Sequence, residues 1–453
     1  MVSTGRFRKT VRRLLIFALS VSVVFCVSCH FGPNFDPRFS RTDVVSQTDP
    51  LDQFALSPDG KLVAHFGTGI WPTQHFDGKT LRFFSVSPAK QVGSLQLDAN
   101  LVRHPGSGRD GLRFCDRGRY LLALEDPENV SVIDTRDFKI HTVVSLREAE
   151  EAIRVELLKK PKGNLYGAGD LVFAACAANS PIAAFYVAKL DQDLGNIKVY
   201  NIESGSEMTG FDGLVNNREP GGLAVSPSGS TIAFVNSEAL PSNDAFPIAR
   251  SHPEGTDDGT VTEIDVPGHR VVRQFYVPKE TLFDDDPIAF AGDHVLALEL
   301  NKFKPYKPGG HQPLGTDSEE HSVHFFDAAT GSEIGSIAEP KLNSFRLRGV
   351  SADGQVVLTL DETWRYCIFC SQYNDEHIGM VAEFVLWNRN TGKPVEQSAP
   401  LPLVHHSCPW LTIGSCTPSD EVPDIALDQS GNAVIASWAT GNQPLSIFSL
   451  NSN

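Results

Sequence analysis

The sequence is poor in the motifs that mark common enzymes. No Gly-x-Ser-x-Gly elbow, glycine-rich phosphate loop or His-Glu-x-x-His pair occurs in its 453 residues, so the usual settings for an activated serine, a bound nucleotide phosphate or a catalytic zinc are missing. Basic residues are scarce as well: Lys and Arg total 39 against 55 Asp and Glu, a formal net charge of -16. Arg6, Arg8, Lys9, Arg12 and Arg13 precede residue 29 with no acid among them, so the remainder carries 34 basic and 55 acidic residues, or -21. A body this acidic repels phosphate backbones, which argues against nucleic acid as a partner. The uncharged apolar stretch from Leu14 to Ser28 falls short of the about 20 residues that span a membrane comfortably. Disorder is not the default either, because hydrophobic residues make up 41% and charged residues 21% of the chain, an ordinary globular balance.

What is present begins with a targeting segment. A basic start, the apolar stretch to Ser28 and the run Val27-Ser28-Cys29 resemble a bacterial lipoprotein signal, in which a small residue directly precedes the cysteine that is lipidated. The resemblance assigns residues 1–28 to the signal and makes Cys29 the lipidated residue. Cys26 stands where that signal usually has Leu. Ordinary signal cleavage near Ser28 and an uncleaved N-terminal anchor are the alternatives. All three export the body, so its expected place is the cell envelope, membrane-anchored and facing the periplasm or the exterior. Residues 29–41 read as a tether.

The rest is organised around the phrase Phe54-Ala55-Leu56-Ser57-Pro58-Asp59-Gly60-Lys61-Leu62-Val63-Ala64. Pro58 presets a turn, Asp59 can close it and Gly60 supplies positive φ, while the apolar flanks have the length of buried strands. Variants return at Ser226-Pro227-Ser228-Gly229, Ser351-Ala352-Asp353-Gly354 and Asp428-Gln429-Ser430-Gly431. Counting strands gives seven four-stranded units, with the last one strand short. The spare strand near Val44-Val45 completes it. This predicts an all-β chain: a seven-bladed β-propeller over residues 42–453, closed by an N-terminal strand.

The Ser-Pro-Asp-Gly turns, together with third strands ending as in Phe326-Asp327 to Gly331 and Trp387-Asn388 to Gly392, resemble the bacterial WD40-like and YVTN-type propellers. The Gly-His and Trp-Asp dipeptides of true WD40 blades are absent, so the resemblance implies architecture and no particular function.

Turns between first and second strands, and between third and fourth, are short. Insertions collect in the other connections, for example Ser237 to Gly259, Asn301 to His321 and Asp361 to Met380. Those connections share one face, the expected binding face for a protein, peptide or glycan. A ring of side chains at the starts of the inner strands faces the same way: Asp52, Asp110, Asp170, Glu219, Asp286 and Asp424, interrupted by Arg346 and Arg348. It reads either as an electronegative funnel for a cation, or as acids accepting local backbone hydrogen bonds. Trp71, Trp364 and Trp410 in the loops can stack a sugar or grip a peptide, or fold their own loops down. Trp387 and Trp438 read as core.

In an exported protein Cys367, Cys370, Cys408 and Cys416 are most simply disulfide-bonded, with a Zn²⁺ site as the alternative. Cys115 and Cys176 fall on inner strands of adjacent blades; the expectation is buried, inert thiols, with a cross-blade bridge as the alternative. No cofactor is implied, although Ca²⁺ or Zn²⁺ would suit the acids or the cysteines. The leading functional reading is a non-catalytic, lipid-anchored binding propeller. The alternative is a metal-dependent propeller hydrolase or lactonase with an axial acidic site.

Overall fold

The computed structural model describes residues 39–45, 53–67, 70–71, 74–75, 79–97, 101, 111–125, 129–146, 172–187, 194–216, 220–236, 258–278, 288–303, 319–338, 344–364, 380–398, 401, 404–405, 420–421, 424–437 and 444–450. They form seven four-stranded antiparallel sheets and two small two-stranded ones, Ile70–Trp71 with Gln74–His75 and Val404–His405 with Asp420–Glu421. Strands are named a to d from the axis outwards. The seven a strands are Gln53–Leu56, Leu112–Cys115, Val172–Cys176, Pro220–Val225, Ile288–Phe290, Ser344–Val350 and Asp424–Leu427. Each lies against the next, and the last lies against the first. The chain is a seven-bladed β-propeller.

Closure is by the N-terminal strand, as the strand count requires. Phe39–Val45 pairs antiparallel with Leu445–Leu450, from Phe39 opposite Leu450 to Val45 opposite Leu445. This strand takes in three residues assigned above to the tether. Phe39 earns that place by packing edge-on against Phe384 at 5.0 Å, while Val44 and Val45 are fully buried.

Apolar residues in consecutive positions of the b and c strands face two neighbours at once, which is why these strands read as unbroken apolar runs. The result is one apolar cluster at each of the seven junctions between blades. Burying each large aliphatic or aromatic side chain there contributes about 1.5–3 kcal/mol. The d strands have only one covered side, and Lys90–Gln96 alternates exposed and half-buried accordingly.

Turns on the short-connection face are built by the residues that announced them. Ser57 Oγ donates to Asp59 Oδ1 at 2.7 Å and accepts the Leu62 amide at 2.8 Å. Ser351 repeats this with Asp353 and the Val356 amide, and Ser226 accepts the Thr231 amide. In the seventh blade Asp428 takes the serine's part, accepting the Ala433 amide at 2.8 Å. These a–b turns also bond to one another around the mouth of the ring. The Asp116 amide donates to Ala177 O, that of Asn179 to Pro227 O, that of Ala352 to Gln429 O and that of Ser430 to Pro58 O; the Ser228 amide donates to Asp293 Oδ1. Gly354 sits at φ +70°, and a Cβ there would lie 2.4 Å from the Ala291 carbonyl carbon of the preceding blade. The glycine is therefore required by close approach as well as by φ.

In the second to sixth blades the c–d turn is closed by the Asp or Asn that ends the third strand. Asp327 Oδ1 accepts both the amide and the hydroxyl of Thr330, and Asn388 Oδ1 does the same for Thr391.

One ion pair is deep enough to make stability depend on pH. Glu263, on the c strand Asp258–Asp265, is 1% exposed and accepts a 3.0 Å hydrogen bond from Arg273 Nη1 across the strand pair. Burial pushes its carboxyl up to about 7, against the pull of Arg273. A carboxyl raised above its unfolded value stabilises the fold fully below about pH 4.5, and that contribution is lost as pH rises through 7. Shifting from pH 8 to pH 5.5 is expected to gain about 2 kcal/mol from this residue. Urea midpoints at the two pH values, compared with Glu263→Gln, measure it: the variant's midpoint changes less with pH.

Candidate functional site

The seven a strands enclose an axial cavity of about 280 Å³. Every blade contributes to its wall, from Phe54, Leu112, Ala175, Ala224, Ile288, Arg348 and Ala426 inwards to Gln429 in the a–b turn of the seventh blade. The cavity therefore reaches the short-turn end of the axis. Among its described lining residues are two arginines, Arg113 and Arg348.

Register explains how the arginines come to be there. Two residues before each a–b turn opens, the chain has Ala55, Ala175, Ala224, Ala289 and Ala426 in five blades, paired with Ala64, Ala184, Ala233, Ala297 and Ile435 of their b strands. The sixth blade has Gly349 opposite Leu358. Small residues belong at this level because the inner strands crowd together near the axis: a Cβ on Gly349 would lie 2.9 Å from Leu427 Cβ. The second blade breaks the series with Arg113, opposite Leu122.

Arg348 arrives by a different device. The a–b pairing of the sixth blade shifts between Leu347 and Gly349, so Arg348 is the extra residue of a β-bulge, a distortion that re-aims a side chain. The bulge is held from the neighbouring blade, since the Leu347 amide donates to Glu299 Oε2 at 2.8 Å and Glu299 is 4% exposed. Arg113 and Arg348 thus stand within one residue of the same height, on blades two and six.

Beside Arg113 the thiols expected to be inert are joined: Cys115 and Cys176 form a disulfide, with Cα atoms 5.7 Å apart. The expectation of two buried free thiols is corrected. Cys115 ends the second a strand opposite Tyr120, while Cys176 ends the third opposite Ala183, and neighbouring inner strands are close enough at the axis for a bridge. An adjacent clasp joins the same two blades. Arg119 Nη1 donates to Glu203 Oε1 at 2.7 Å and its guanidinium lies over the Tyr120 ring at 4.7 Å.

Arg346 and Arg348 both lie within the strand Ser344–Val350, Asp424 begins Asp424–Leu427, Trp71 ends the two-residue strand Ile70–Trp71, and Trp364 ends Val356–Trp364. Asp52, Asp110, Asp170, Glu219, Asp286, Trp410, Trp438, Cys29, Cys367, Cys370, Cys408 and Cys416 lie outside the described residues. Trp387 is core, 5% exposed. Arg113 escaped the sequence reading. Aligning the seven inner strands on their turns would have found it as the one long residue in a column of alanines.

A second constellation has the order of a hydrolase relay. Ser322 Oγ and His324 Nε2 are 2.8 Å apart, and His324 Nδ1 and Glu333 Oε1 are also 2.8 Å apart. Ser322 lies in mid-strand, paired with both Leu300 and Ala338, so the backbone around it is committed to the ladder rather than to stabilising an oxyanion. The group reads as a strut between the c and d strands.

No protein-family model matches the chain, and no curated protein matches it. Among solved structures it is similar to the hydrazine synthase of Kuenenia stuttgartiensis, with 13% identity and a TM-score of 0.49, covering 93% of this chain and 100% of that one. It is also similar to the Dos1 propeller, with 10% identity and a TM-score of 0.46, covering 91% of this chain and 79% of that one. The propeller architecture stands on the strand order and register of this chain itself.

Proposed function

We propose that this protein is an exported, non-catalytic binding scaffold of the WD40-like or YVTN-like kind, anchored by lipid at Cys29, whose long-connection face grips a protein, peptide or glycan. The observation that carries the reading is the asymmetry of the ring. Connections on the short-turn face span only a few residues, as from Leu56 to Leu62 and from Ser85 to Lys90. Those of the opposite kind run from Asn236 to Asp258, from Phe303 to Glu319 and from Ser145 to Val172. A rigid ring presenting long segments on one side is the arrangement that loop-borne recognition uses. The Cys115–Cys176 disulfide supports export, because such bonds persist in oxidising compartments.

The test places a photo-crosslinking amino acid, benzoylphenylalanine, at Phe246 or Tyr306 in the long connections, and at Lys61 or Lys393 on the short-turn face, in cells that make the protein. A discrete adduct is expected from the first pair and none from the second. Adducts from Lys61 or Lys393 alone, or from none of the four, contradict the assignment.

A further inference from the structure

We infer that the short-turn face of the ring is the surface that lies against the lipid bilayer, so that the long-connection face points away from the membrane; the inference rests on the proposed lipid anchor at Cys29. The observation behind it is the place where the chain enters the propeller. Phe39 begins the closing strand opposite Leu450, and the Leu450 amide donates at 2.8 Å to Asn432 O in the a–b turn of the seventh blade. The closing strand therefore starts at the short-turn face, on the rim of the seventh blade, and runs to Val45 on the long-connection side. Its first residues are held there. Phe39 packs on Phe384, the Ser40 hydroxyl donates to Ser449 O at 3.3 Å, and the Arg41 guanidinium lies over the Phe448 ring at 5.8 Å.

Chain length makes this entry point decisive. Ten residue steps separate Cys29 from Phe39, a reach of about 33–36 Å when fully extended. With the short-turn face down, the entry point is already on the membrane side. The opposite orientation requires the segment to double back past the closing strand, whose seven residues span about 23 Å. It must then clear the neighbouring long connections, from Phe66 to Thr80 and from Trp364 to Met380. Charge favours the same side. The short turns hold seven acids and five bases, whereas the connections of the other kind hold 29 acids and 16 bases, so an anionic lipid surface repels the short-turn face less. A partner of the long-connection face accordingly arrives from the aqueous side or from a facing surface, not from the bilayer that holds the anchor.

Energy transfer to lipid tests the orientation on the whole protein, purified from cells with its anchor and inserted into the outer leaflet of vesicles of phosphatidylethanolamine and phosphatidylglycerol that carry a rhodamine-headgroup lipid. A clickable azidophenylalanine takes a donor dye at Lys61 or Lys393, on the short-turn side of the first and sixth blades, or at Thr73 or Asn374, in the long connections of the same blades. Lys61 and Lys393 are exposed, so labelling them leaves the core intact. Transfer from the first pair is expected to exceed that from the second by twofold or more. Equal transfer from the two pairs, or higher transfer from Thr73 and Asn374, in vesicle-bound protein overturns the inference and leaves the anchor standing. Protein that fails to float with the vesicles removes the anchor and the inference with it.

Discussion

Replacing Cys115 and Cys176 together by alanine is expected to lower the free energy of unfolding by about 4 kcal/mol, the loop-closure contribution of a bridge this far apart in sequence. The separation is 61 residues, and that loop runs through the remainder of the second blade and the first strand of the third. In the unfolded chain the bridge removes the freedom of the whole loop; in the folded ring it joins strands already held by the Arg119–Glu203 clasp. The effect should therefore act mainly through the unfolded state. Alanine is the suitable replacement because Cys115 is fully buried and a serine would bury a hydroxyl as well. Denaturant midpoints of the oxidised protein, the reduced protein and the double variant decide the matter. Both of the last two should fall well below the first. Coincidence of all three midpoints would show that the bridge does not constrain the chain.

Thr359→Val is expected to cost about 2–4 kcal/mol, more than a surface or isosteric change normally does, because it breaks a buried relay rather than a contact. Thr359 is fully buried, and Asp361 is 5% exposed. The Trp387 indole N–H donates to Thr359 Oγ1 at 2.7 Å, and Thr359 donates in turn to Asp361 Oδ1 at 2.7 Å. Valine keeps the volume and removes both bonds, taking the partner from a buried indole donor and a donor from a buried carboxylate. Thr359→Ser keeps the hydroxyl and should lose far less. Equal losses for Val and Ser would place the cost in packing and not in the relay.

Local chemistry was legible where one residue type answers one geometric need. The Ser-x-Asp-Gly turns, the Asp or Asn that closes the c–d turn in five blades and the spare strand at Val44-Val45 all follow from turn preferences and apolar patterning. The architecture followed because each blade repeats those signals. Contacts between blades were harder to read. The Cys115–Cys176 bond depends on how two inner strands sit side by side at the axis, and no spacing within one blade encodes that. Arg113 looks like an ordinary polar position of an alternating strand until its six counterparts are aligned with it. Arg348 was noticed among the residues at the start of its strand, yet its place in the cavity wall comes from the one-residue shift at Leu347 and Gly349.

We propose an exported propeller, lipid-anchored at Cys29; its second and third blades are stapled by Cys115–Cys176. Mass spectrometry of the protein purified from cells tests it most directly, with the intact mass and the disulfide-linked peptides read from one preparation. The account predicts a chain that begins at Cys29 with its acyl groups attached, and a Cys115–Cys176 linked peptide lost on reduction. A chain that retains Met1 without acyl groups, with Cys115 and Cys176 recovered as free thiols, would contradict it.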